Sequence, residues 1–71
     1  MTLQTYYAQL IDGTTIVMVE DYYMPANQSL VRRYKSAQPD DILTIGDPTN
    51  GYAYVPKRNI LCIYTGEVTN G

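Results

Sequence analysis

Tyr6-Tyr7-Ala8-Gln9-Leu10-Ile11-Asp12-Gly13-Thr14-Thr15-Ile16-Val17-Met18-Val19 reads as two apolar-rich runs hinged on Asp12-Gly13. Asp-Gly suits a two-residue type I′ hairpin turn, where both central residues take positive φ. That turn sets Ile11 opposite Thr14 and continues through Leu10–Thr15, Ala8–Val17 and Tyr6–Val19. Side chains alternate across a strand. Tyr6, Ala8, Leu10, Val17 and Val19 are therefore the expected core face, and Leu3, Thr5, Tyr7, Gln9, Ile16, Met18 and Glu20 the other. The second face is too apolar to stand in water. A helix or a second subunit is expected to cover it, which makes Tyr7, Ile16, Met18 and Tyr22 the candidate interface.

Downstream of Pro25, Ala26, Leu30, Tyr34 and Ala37 fall on one helical stripe. A helix over residues 26–37 is expected, stopped before Pro39 because the residue preceding a proline disfavours the α region. Read as a strand, the segment has no clean apolar face. Ile42-Leu43-Thr44-Ile45 and Tyr52-Ala53-Tyr54-Val55 then flank a loop of turn formers, Gly46-Asp47-Pro48-Thr49-Asn50-Gly51. Pro56-Lys57-Arg58 breaks the returning strand. Residues 59–65 alternate Ile60, Cys62 and Tyr64 with Leu61 and Ile63. Both sides are apolar, so this last strand is expected to be central. Residues 66–71 read as a frayed tail.

The expected fold is one domain over residues 1–71. It is α+β: a strongly bent antiparallel sheet of about five strands with one short helix, in the order ββαβββ. The alternative is an all-β barrel. The segment Tyr54-Val55-Pro56-Lys57-Arg58-Asn59-Ile60 resembles the tight turn into the last strand of SH3-like small barrels. It is also similar to small accessory proteins of bacteria and their phages. An SH3 peptide groove is not implied, because the chain has no tryptophan and proline-rich peptides need an aromatic-lined groove. The likeness to phage accessory proteins implies inhibition of a host or defence protein.

Composition narrows the chemistry. There is no His and one Cys, Cys62, so no internal disulfide and no ordinary zinc site can form. The usual general base is absent. Ser29 and Ser36 have no base at recognisable spacing. Cys62 sits in an apolar strand, whereas reactive thiols want an electropositive setting. Glu20 and Asp21 point to opposite strand faces. Asp40-Asp41 suits a turn cap. Residues 46–51 have phosphate-loop glycine spacing, but Tyr52-Ala53 stands where Lys-Ser/Thr belongs. A non-enzyme without cofactor or metal is expected. Neither a secretory n-region followed by an apolar run nor a membrane-length apolar stretch is present, so a cytoplasmic protein with no membrane partner is expected.

The cations carry the remaining signal. The net charge is −2, yet all five basic residues fall in two clusters, Arg32-Arg33-Tyr34-Lys35 and Lys57-Arg58. Together they form a candidate anion site, with Tyr34 or Tyr54 to stack a base. The ordinary alternative is helix-dipole stabilisation in the last turns of a helix, worth about 0.3–1 kcal/mol. The chain also has eight tyrosines and no Phe or Trp. Tyr is enriched at protein interfaces, and a domain this small without disulfide or metal favours self-association. The functional expectation is therefore stoichiometric binding to itself and to a protein partner, with a nucleotide or single-stranded nucleic acid as the alternative ligand.

Overall fold

The computed structural model describes residues 1–70; Gly71, the end of the expected tail, lies outside them. In chain order the elements are β1 (Thr2–Leu10), β2 (Thr15–Asp21), a 3-10 turn (Ala26–Gln28) and α1 (Leu30–Ser36). They continue with β3 (Ile42–Asp47), β4 (Gly51–Pro56), a second 3-10 turn (Lys57–Asn59) and β5 (Ile60–Asn70). The architecture is broadly α+β. Its strands lie in two antiparallel sheets, β2-β1-β5 and β3-β4, rather than in one bent sheet, and they do not close into a barrel.

The first hairpin forms where expected but with a different turn. The backbone N–H of Gly13 donates to the Leu10 carbonyl at 3.0 Å, and Leu10 N–H donates to Thr14 at 2.8 Å. The loop is thus three residues, Ile11-Asp12-Gly13. Only Gly13 has positive φ, at 91°, and no non-glycine residue does. Strain explains the choice: a type I′ turn would force Asp12 to positive φ, whereas the longer loop asks this of glycine alone. Asp12 serves the loop differently, its carboxylate accepting Thr14 N–H at 2.9 Å, a bond that holds this exposed carboxyl below its ordinary range.

One extra loop residue slips the register by one, and a one-residue slip exchanges the faces of a strand. Tyr6 now pairs with Met18 and Ala8 with Ile16, while Val17 and Val19 pair with Tyr7 and Thr5. Met18 and Ile16 therefore face inward with Tyr6, Ala8 and Leu10, and Val17 is exposed. This overturns the assignment of Ile16 and Met18 to an outward interface.

The helix is shorter than the stripe that suggested it. Ser29 is extended, at ψ 152°, and separates the 3-10 turn from α1; its hydroxyl caps α1 by accepting Arg32 N–H at 3.3 Å. Ser at this position satisfies one of the unpaired first-turn amides. Leu30 is fully buried, and Tyr34 and Ala37 pack against the core, whereas Ala26 is exposed. The buried Glu20 of β2 holds the other end of this contact. It accepts Leu30 N–H at 3.3 Å and the Tyr6 hydroxyl, whose pKa is raised by burial and then by the Glu20 charge and hydrogen bond.

β5 also differs from expectation. It runs on through Asn70, so Val68, Thr69 and Asn70 pair with β1 instead of fraying, and it is an edge strand with Leu61, Cys62 and Tyr64 exposed rather than a covered central one. Tyr7 lies across Gly66 of this strand: a Cβ there would stand 2.5 Å from Tyr7 Cε2. The same ring stacks on Tyr64 at 5.1 Å. Tyr7, expected at an interface between molecules, is engaged within one.

The two sheets meet where β2 passes β3, and Asp47 is the joint. Its Oδ2 accepts Val19 N–H at 2.9 Å; its Oδ1 accepts Thr49 and Asn50 N–H at 2.8 Å, and the Asn50 side chain adds a fourth bond. Burial pushes this carboxyl up, but the bonds from Asn50, Val19 and Thr49 outweigh it and hold the pKa at about 2. Around the joint the core is small: Ala8, Met18, Leu30, Leu43, Ile45, Val55 and Ile60.

Because Asp47 titrates at about 2 when folded and at 3.8 in the reference state, its stabilisation is complete above the upper value and is lost as pH falls towards the lower. Denaturant midpoints measured down this range should fall more steeply for wild type than for Asp47→Asn, which is already weakened at neutral pH. Gly46 has φ 149°, and a Cβ there would collide with the Gly51 carbonyl, whereas Gly13 has open space around it. Thermal melts should show Gly46→Ala losing more than about 2 kcal/mol and Gly13→Ala about 1 kcal/mol, the cost of positive φ alone.

Candidate functional site

The two basic clusters meet in space, at Tyr34 and Lys57. The Lys57 ammonium lies over the Tyr34 ring at 5.1 Å from its centroid and donates to the Ala37 carbonyl at the end of α1, at 2.7 Å. The second 3-10 turn, which follows Pro56, brings it there. The backbone N–H groups of Lys57 and Arg58 donate to Asp41 and Pro39 at 2.9 and 3.0 Å. Asp41 caps its own turn by accepting Gln38 N–H. A cation at the C-terminal end of a helix is favourable, and one on an aromatic face adds about 0.5–1 kcal/mol.

The charges brought together are already used. Arg33 donates from Nε to the Gln28 carbonyl at 3.3 Å and from its guanidinium to the Thr44 carbonyl at 2.8 Å, so it ties α1 to the outer edge of β3. Arg58 forms an ion pair with Asp40, both side chains largely exposed, an arrangement worth about 0–1 kcal/mol. Arg32 and Lys35 differ. Neither side chain has an intrachain partner among the described residues, and with Ala26, Ser29 and Val31 they line a shallow depression on the outer side of α1. Of the expected anion site Arg32, Arg33, Tyr34, Lys35, Lys57 and Arg58, two cations are thus free to meet a ligand.

A second surface lies on the outer side of the β3–β4 hairpin. Val55, Leu43 and Ile45 turn inward to the core. Their neighbours turn outward: Ile42 at 59% exposure, Tyr52 at 54% and Tyr54 at 69%, with Thr44 directly opposite Tyr54. No Asp, Glu, Lys or Arg of β3 or β4 belongs to this face. The alternation Tyr52-Ala53-Tyr54-Val55 was the available signal, with both rings on the side away from Val55. Tyr22, the remaining expected interface residue, is exposed beside β2 with Tyr23 edge-on to it at 5.3 Å.

Among the described residues, no three or more Cys, Asp or Glu gather in a metal-sized cluster, and no helix is long and apolar enough to cross a membrane. Cys62 is exposed, its thiol 3.7 Å from the Gln9 side-chain oxygen. No protein-family model, curated protein or solved structure matches the chain.

The division of labour among the cations is testable by thermal melting. Arg33→Ala removes the exposed bonds to Thr44 and Gln28 and should cost about 0.5–1.5 kcal/mol, a fall of a few degrees for a chain of this size. Arg32→Ala and Lys35→Ala should leave the melting temperature unchanged.

Proposed function

We propose that this chain is a non-enzymatic binding protein that docks on a protein partner through the uncharged face of Ile42, Tyr52 and Tyr54. The observation that carries the reading is the contrast between the two surfaces. Three of the five cations are spent on bonds within the chain, whereas two tyrosines and an isoleucine stand more than half exposed on one sheet face. Rings held on a strand lose little conformational freedom on docking, and Tyr is over-represented among residues that dominate interface energies. Such a contact loses little affinity in salt, whereas phosphate recognition weakens steeply.

A second reading rests on the depression between Arg32 and Lys35, whose free charges suit a phosphate or carboxylate group. It keeps the nucleotide or single-stranded nucleic acid as the alternative ligand, on a smaller set of residues than the clusters suggested.

A photo-crosslinking amino acid placed at Tyr54, with Tyr23 as an equally exposed control, separates these readings in cells of the source organism. Tyr54 should yield one discrete adduct to a protein other than a second copy of this chain that survives high salt, and Tyr23 none. Loss of that adduct in an Arg32→Ala, Lys35→Ala double variant, or adducts to nucleic acid, would favour the anion reading.

A further inference from the structure

The strands of this chain present several outer edges, and that of β4 alone carries neither a charge nor a tie from elsewhere in the described chain nor a break in register. The outer edge of β2 is occupied by Asp47, which takes Val19 N–H. That of β3 is occupied by Arg33 on the Thr44 carbonyl. β5 carries Glu67 and departs from regular register with β1 twice; a charge and bulges are the usual means of blunting an edge. β4 has none of these. Its register with β3 is unbroken from Ile42↔Pro56 to Asp47↔Gly51, its residues are uncharged, and among the described residues it pairs with β3 alone. A two-stranded sheet is marginal by itself and gains from a third strand.

The direction of the free groups follows from Arg33. Since the Thr44 carbonyl points away from β4 to the Arg33 guanidinium, Thr44↔Tyr54 is a pair that does not exchange ladder bonds. The N–H and C=O groups of Tyr54, and of Tyr52 two residues earlier, therefore point to the open edge.

We propose that a second copy of this chain completes the sheet, β4 against β4, antiparallel about a two-fold axis through Ala53. This register sets Tyr52 opposite the partner's Tyr54. Each such pair exchanges two backbone hydrogen bonds, and the axis repeats the pair, for four in all. The tyrosines then form cross-strand aromatic pairs on the outward face, a favourable arrangement in sheets. No charge of either copy lies on the paired strands, so the strand is complementary to itself, and a two-fold contact closes without leading to a filament. The area covered by a six-residue strand and its two rings falls near the small end of specific interfaces, roughly 1,200 Å² or less. The dimer should accordingly dissociate on dilution. The inference uses the edge of β4 rather than its face, so it does not depend on docking to another protein.

The test is sedimentation of the purified chain from low to high micromolar concentration, with amide hydrogen exchange at both ends. The mass should rise from 8.0 kDa towards twice that, and the amides of Tyr52 and Tyr54 should become protected as it rises. Tyr54→Pro removes an outward N–H, on the side of an edge strand where proline is tolerated, together with one ring of each aromatic pair, and should keep the chain monomeric. A wild-type monomer at high concentration overturns the proposal, as does a dimer in which those two amides exchange unchanged. If Tyr54→Pro does not fold, the exchange measurement on wild type decides. Protection of these amides only when a foreign strand is added would also contradict it. A crosslink from Tyr54 to another protein would survive any of these failures, so the two readings are separable.

Discussion

The Asp47 carboxylate is the constraint on which the rest of this small fold depends. It ends β3, organises the turn of the second hairpin, and takes the Val19 amide of the other sheet. A charged acceptor makes stronger bonds than a neutral one, and hydrogen bonds to charged groups contribute about 1.5–3 kcal/mol each. The seven buried apolar residues come from both sheets and the helix. They make one core only while the sheets are held in this relation. Fixing Val19 also closes the edge of β2 that would otherwise be open to pairing.

Other polar ties follow the same logic at the periphery. Glu20 pins the start of α1, Arg33 fastens its side to β3, and Lys57 closes its end. With these groups committed, two parts of the free surface bear on binding: the uncharged tyrosine face with the bare β4 edge, and the pair Arg32 and Lys35. The proposed binding role rests on that remainder. A group already bonded within the chain must give up that bond to meet a ligand, whereas the Tyr52 and Tyr54 rings give up only water.

The broad α+β character and the places of the turns were legible in the sequence, because alternation and turn formers are local signals. Asp12-Gly13 marked the first hairpin, the stripe Leu30, Tyr34 and Ala37 marked the buried side of the helix, and Gly46 to Gly51 marked the second turn. Loop length was not legible. Asp-Gly is compatible with both two- and three-residue loops, and the choice between them decides which side of β2 is buried; Ile16 and Met18 changed sides on that single residue. Long-range partners were equally hidden. Asp47 reads as a turn former, and nothing local shows that its second oxygen reaches a residue 28 positions away. The exposed rings of Tyr52 and Tyr54 were legible from alternation with Ala53 and Val55 but were outweighed by the more conspicuous charge clusters.

The most direct test of the joint is the hydrogen-exchange rate of the Val19 amide. This amide belongs to an edge strand and points away from β1, so without an acceptor it would exchange as an open edge group does. If Asp47 holds the two sheets together, Val19 exchanges only through global unfolding, with the same opening free energy as the core amides of β1, and that protection disappears in Asp47→Asn. Exchange of Val19 in the wild-type chain at the rate of an exposed edge amide would contradict the account.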